Sequence, residues 1–300
     1  MRSLQRVRPA IAGWIVLLLA TLPGAGRAQR VLDLPLRTTA GADALASGPL
    51  AVFWNPAAIR VASARGEVTV VDVRGPQETG LAAFAVAGTW DLDPRTTLAV
   101  GFQHVGIDDI EETTTSPLPA SGGSSLIEVA ENVFAVAATH RAGEAVAIGA
   151  GVQYVRTAAA LGGEDAVEIG AGAIVRPALP LSPRVGAAAR IDDEGATWNA
   201  GIELAPAAAR AGGWVFRGAW GAGGSPRFHG IAHRVSAAAD WTDRVSVSAG
   251  IAGEPGAAGR TWEPVASASL RLTRYTVSVL REDLPNGFGA VHAFRLSVAF

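Results

Sequence analysis

Ala145-Val146-Ala147-Ile148-Gly149-Ala150-Gly151-Val152-Gln153-Tyr154 alternates without a slip. Val146, Ile148, Ala150, Val152 and Tyr154 share one parity; Ala145, Ala147, Gly149, Gly151 and Gln153 share the other. Successive side chains of a strand point to opposite faces, so this stretch makes a strand with one aliphatic-to-aromatic face and one face of small and polar groups. Residues 197 to 204 repeat it, with Trp198, Ala200, Ile202 and Leu204 against Thr197, Asn199, Gly201 and Glu203. Residues 245 to 251 set Val245, Val247, Ala249 and Ile251 against Ser246, Ser248 and Gly250. A soluble sandwich alternates too, but it would bury its aromatics at strand centres in an internal core. Here the fuller face is aromatic at its ends and aliphatic between them. A membrane barrel needs that distribution, because only alternate residues meet lipid.

From Gly66 to Phe300 the same unit recurs, each run followed by turn residues. Strands are expected near 66–74, 80–90, 95–105, 129–141, 144–156, 165–176, 183–191, 196–205, 213–221, 229–240, 244–252, 262–271, 273–282 and 290–300. The fold class is therefore all-β: a transmembrane antiparallel barrel of about 14 strands. An even number puts both barrel termini on one side of the membrane. Tight turns are expected at Asp91–Pro94, Ala142–Gly143, Thr242–Asp243 and Leu272–Thr273, and the longest outer loop at 106–128. Trp90, Trp198, Trp214, Trp220, Trp241, Trp262 and Tyr275 fall near strand ends on the expected lipid face. Amphipathic rings favour the headgroup level there.

Composition agrees. Apolar residues make up 49% of the chain, yet after the first thirty residues no apolar run is long enough for a membrane-spanning helix. The net charge is −2 and the basic residues are all Arg without a dense cluster, so nucleic acid is not an expected partner. With no cysteine there are no disulfides, no thiolate chemistry and no lipoprotein anchor. Residues 1–28 read as a signal peptide. Arg2, Arg6 and Arg8 precede an apolar Ile11–Ala20 core, and Gly26 and Ala28 stand before a cut at Gln29. The last strand puts Phe294, Leu296, Val298 and Phe300 on one face and stops at the aromatic. It resembles the assembly signal of bacterial outer-membrane proteins. That implies the outer membrane as location, with its lipid, lipopolysaccharide and barrel-assembly machinery as partners.

Residues 29–65 do not read as a membrane strand, whereas 66–300 form the barrel domain. Pro35, Pro49 and Pro56 interrupt this segment, and Ala40–Ser47 could make a short helix. It contains Phe53-Trp54-Asn55-Pro56-Ala57-Ala58-Ile59, preceded by the small-residue stretch Gly41–Ser47. An aromatic followed by Asn-Pro-Ala and an aliphatic, just before strand one, resembles the N-terminal plug of FadL-type hydrophobic-compound channels and of the related PorV/PorQ-type barrels. The resemblance implies a plug over 29–65, gated around Phe53, Trp54, Asn55, Pro56 and Ala57. It implies passive uptake of a small hydrophobic ligand through the barrel. The alternative it leaves open is a PorV/PorQ-like secretion-accessory barrel that docks partner proteins. The chain is shorter than long-chain fatty-acid transporters and has no Lys to bind a carboxylate head.

Inward parity assigns Gln103, Glu168, Arg176, Asn199, Glu203, Arg217, Arg234 and Arg295 to the lumen, with Asp240 beside them, and Glu203 with Arg217 as a cross-strand pair. A surface hydrolase is the remaining alternative. Asp108-Asp109 and Glu111-Glu112 are expected in the long outer loop, close to His104, where carboxylates and an imidazole could activate water. A solvated acidic loop accounts for them as well. His229 and His233 share a strand face but lack a third ligand, so no metal and no cofactor are expected.

Overall fold

The computed structural model describes residues 40–59, 65–111, 126–158, 163–193, 195–206, 210–211, 213–225, 230–256, 259–284 and 289–300. The leader, residues 29–39, Glu112 and His229 lie outside them. The strands are β1 Gly66–Arg74, β2 Leu81–Asp93, β3 Thr96–Glu111, β4 Leu126–Arg141, β5 Val146–Ala158, β6 Glu164–Val175, β7 Arg184–Ile191, β8 Ala196–Leu204, β9 Arg210–Ala211, β10 Trp214–Gly224, β11 Ala232–Trp241, β12 Val245–Gly256, β13 Gly259–Leu272, β14 Tyr275–Asp283 and β15 Ala290–Ala299. β9 is a two-residue stub that pairs with Trp214 and Val215 and does not cross the wall. The other fourteen close a ring: each pairs antiparallel with the next, β8 skips the stub to pair with β10, and β15 returns to β1. Closure leaves no open sheet edge, which hydrocarbon would not tolerate.

All fourteen expected strands have counterparts, but several reach further. β3 runs to Glu111, across a register shift between Ile107 and Ile110. So Asp108, Asp109 and Glu111 belong to a strand, not to the loop expected from the sequence. Local polarity suggested a loop there, but pairing with β4 carries the strand on. Trp220 and Trp262 likewise sit several residues inside β10 and β13 rather than at their ends. The expected helix at Ala40–Ser47 is one 3-10 turn, Asp43–Leu45.

One face of the ring exposes large apolar side chains on each of the fourteen wall strands. Val136 (59% exposed), Phe134, Ile148, Phe84 and Val279 are among them. In water such a surface would drive aggregation; in lipid it is the expected exterior. Phe84, Phe102, Phe134 and Tyr154 form an aromatic row across β2 to β5, with successive ring centroids 5.5, 4.7 and 6.4 Å apart.

The inner wall is layered along the axis. At the end where β1 begins and β15 ends, Thr69, Thr89, Thr97, Thr139, Ser278 and Ser297 point inward and are buried. Toward the other end Val71, Val73, Leu81, Val105, Val155 and Leu280 join one buried apolar cluster, with Glu131, Thr157 and the Arg234–Glu282 pair among them.

The seam between first and last strands carries a specific fit. The Phe300 backbone N–H donates to the Gly66 carbonyl at 3.0 Å, and Gly66 N–H donates back at 3.2 Å. A Cβ on Gly66 would lie 2.5 Å from the Phe300 ring and 2.8 Å from the Thr89 carbonyl oxygen. The terminal aromatic is therefore seated over a missing side chain. Gly66→Val is expected to lower the yield of folded, heat-modifiable barrel on SDS gels, because the ring and the β1–β15 ladder cannot both keep their places. Unchanged yield and unchanged melting of that band would show the fit to be incidental.

Candidate functional site

Residues 40–59 lie inside the ring. They make three 3-10 turns, Asp43–Leu45, Pro49–Phe53 and Pro56–Ala58. The segment touches opposite parts of the wall: Ala40 N–H donates to Ser267 Oγ on β13 at 3.4 Å, while Gln153 Nε2 on β5 donates to the Phe53 carbonyl at 2.9 Å. Phe53, Trp54, Asn55, Pro56 and Ala57, singled out from the sequence, are all buried here.

Asn55 ties the segment to itself. Pro56 occupies the first position of the last turn, where its fixed φ costs nothing and its missing N–H is not needed. Asn55 caps that turn: its Oδ1 accepts from Ala57 N–H at 3.0 Å. Its Nδ2 donates to the Ala44 carbonyl at 2.6 Å, joining the last turn to the first. The side chain is 0% exposed.

The wall receives the segment at glycines. A Cβ on Gly101 would meet the Phe53 ring and Val52; on Gly149, the Pro56–Ala57 peptide; on Gly172, the Asn55 amide. A Cβ on Gly186 would meet the Ala44 carbonyl, and on Gly201 or Gly221 the Ala42 methyl. Six strands thus leave out a side chain at the height where the segment passes, allowing backbone to approach backbone.

Polar wall groups hold the segment's carbonyls. Arg190 Nη1 joins Gln153 on the Phe53 oxygen at 3.0 Å and lies 3.6 Å from Glu168. Asn199 Nδ2 donates to the Trp54 carbonyl at 3.4 Å. Of the lumen residues expected from parity, Glu168 and Asn199 therefore serve the segment, and Gln103 points inward and is buried. Arg234 pairs with Glu282 across the interior, and Arg295 Nη2 donates to Ser278 Oγ at 2.9 Å. Arg176 stands just past the end of β6, at the rim rather than within the wall.

The cross-strand pair Glu203–Arg217 is present and larger than expected. Arg217 Nη1 lies 2.6 Å from Glu203, and its Nε and Nη2 grip both oxygens of Asp240 at 2.6 and 2.9 Å. Beside it a cavity of about 490 Å³ opens toward the turns at the termini end, between Gly41–Trp54 and the inner faces of β1, β7, β8 and β10 to β15. Arg184, Arg244 and Arg271 line it with serines from β11 to β14. Gln153 and Arg190 were not singled out from the sequence. Their inward parity was readable, but nothing local marks them as partners of a segment a hundred residues away.

Of the residues named for the catalytic alternative, the side chains of Asp109 and Glu111 and all of Glu112 lie outside the described residues. His104 bonds Asn132 through Nδ1 at 2.9 Å and lies beside Phe84 on the outward face. Among the described residues no three His, Cys, Asp or Glu side chains come close enough to hold a metal.

A closed fourteen-strand antiparallel ring with an apolar exterior, polar at one inner end and occupied by its own N-terminal segment, defines an outer-membrane-type barrel. No protein-family model matches the chain, and no curated protein matches it. Solved structures do. The Ralstonia pickettii toluene transporter TbuX superposes with a TM-score of 0.61 at 12% identity, over 89% of this chain and 98% of that one. The P. putida toluene transporter TodX gives 0.57 at 11%, over 89% and 99%. A Pseudomonas aeruginosa FadL homologue gives 0.51 at 12%, over 92% and 99%. The protein thus has the fold of the FadL-type hydrophobic transporters, the group whose plug Phe53–Ile59 resembles.

Proposed function

We propose that the protein is an outer-membrane channel for passive uptake of small hydrophobic molecules, with residues 40–59 as its plug. The observation that carries this reading is the seating of Phe53, Ile59 and Leu50 in one buried apolar cluster with Val71, Val73, Val105 and Val155 of the inner wall. The plug closes the lumen with apolar side chains on glycine seats and is pinned by a few hydrogen bonds to its carbonyls. Such a contact can yield to an apolar solute, which replaces like with like. The channels with which the chain shares its fold include two toluene transporters, which supports the same class of solute.

The test is uptake of toluene into liposomes carrying the purified protein. Entry faster than into protein-free liposomes is the expected result. Equal rates, with the barrel shown to be folded, would reject the proposal.

A further inference from the structure

At the termini end, the connection 176–183 between β6 and β7 differs from the turns around it. The turns at 142–145, 242–244 and 273–274 expose the charged groups of Glu144, Asp243 and Arg274. Between Arg176 and Arg184, by contrast, runs Pro177-Ala178-Leu179-Pro180-Leu181-Ser182-Pro183, which carries no charge. Leu179 is 57% exposed and Leu181 50%. The chain leaves the wall directly beyond Val175 and returns at Val185, and these two pair across β6 and β7 at the last rung. Both are outward and exposed. The exposed leucines therefore continue the lipid face past the end of its ladder.

The backbone of this connection has few polar groups left to solvate. Pro177, Pro180 and Pro183 have no N–H to satisfy. Leu179 N–H donates to the Pro177 carbonyl at 2.9 Å, and Ser182 N–H to the Leu179 carbonyl at 2.8 Å. The Leu181 carbonyl accepts from Ala205 N–H at 3.0 Å. Backbone that approaches hydrocarbon must find its partners within the protein in this way. The neighbouring strand gives the reason for such a loop. β7 is eight residues long and β8 nine. At ~3.3 Å per residue and a tilt of ~40°, a strand like β7 covers about 20 Å of an apolar band about 25 Å tall. Asp192 and Asp193 follow β7 at once on the far side, so the band cannot be extended there. On the near side Leu179 and Leu181 can make up the difference.

We infer that Leu179 and Leu181 insert into the acyl chains of the leaflet on the termini side, so that this connection completes the lipid-binding surface beside the short strands β7 and β8. The partner is the phospholipid surface itself. The inference does not depend on the uptake reading.

The chain has no cysteine, so a single introduced cysteine takes a spin label without interference. Leu179→Cys and Leu181→Cys are labelled separately and reconstituted in phosphatidylcholine vesicles. Val279→Cys on the lipid face and Glu144→Cys in a turn at the same end are the references. Both leucine-site labels are expected to collide with oxygen as freely as the label at Val279→Cys. They should meet a water-soluble nickel complex about tenfold less often than the label at Glu144→Cys, because hydrocarbon excludes the complex. Each substitution replaces an exposed side chain, and the heat-modifiable band reports folding. Should one leucine variant lack that band, the other carries the test alone. A label at either site that meets nickel as often as the one at Glu144→Cys places the loop in water, as docking of a soluble protein would require, and overturns the inference.

Discussion

Gly149→Val is expected to unseat the inner segment while leaving the barrel standing. A Cβ at this position would lie 2.5 Å from the Ala57 nitrogen and 2.5 Å from the Pro56 oxygen. Those are backbone atoms, so no side-chain rotation relieves the clash. One of the two backbones must move. The wall at Gly149 is laddered on both sides, to Thr139 on β4 and Gly172 on β6. The segment at this height is held by turn contacts and isolated hydrogen bonds. The weaker partner gives way. Overpacking of about 3 kcal/mol would shift the seated-to-unseated ratio about a hundredfold. In planar bilayers the variant should therefore conduct far more than wild type, and small sugars should enter liposomes that wild type keeps closed to them. Gly218→Val is the control, since a Cβ there meets nothing within 4 Å. If both variants behave as wild type does, the segment does not close the lumen.

Asn55→Ala should loosen the same segment from within. The substitution removes the cap on Ala57 N–H and the partner of the Ala44 carbonyl. Both groups are buried, and a buried backbone group left unpaired costs about 1–3 kcal/mol. The barrel ladders do not use this side chain. The loss should therefore appear as local opening, not as unfolding: amides of 40–59 exchange with deuterium about tenfold or more faster, while those of the strands keep wild-type protection. Asn55→Asp should do nearly the same, because a carboxylate still accepts from Ala57 but cannot donate to Ala44. Unchanged exchange in Asn55→Ala would mean that the wall, not the Asn bridge, holds the segment. Should that variant also speed toluene uptake, the mobility of the segment and the transport reading would be joined by one residue.

The barrel itself was legible because its signal is local. A pleated strand converts sequence parity directly into face, so Val146, Ile148 and Val152 had to share a side whatever lay next to them. Fourteen such runs with turns between them leave a closed ring as the arrangement that satisfies every backbone group in lipid. Phe53–Ile59 stood out for a similar reason: Asn before Pro sets its own turn, and Asn55 does cap the turn it begins. The expectation for Asp108, Asp109 and Glu111 failed where local polarity competed with pairing. A long neighbour in β4 continues the ladder past residues that in isolation favour a turn.

What parity alone determined is which residues face lipid and which face the lumen. It could not say at what height along the axis each inward residue stands, because the stagger between neighbouring strands is a property of the closed ring. Only the assembled barrel decided that Gly101, Gly149, Gly172, Gly186, Gly201 and Gly221 lie under the inner segment. It alone gave Arg217 two carboxylates, from β8 and β11. Side-chain direction is written into each strand, but contacts across a lumen depend on where distant strands come to rest against one another.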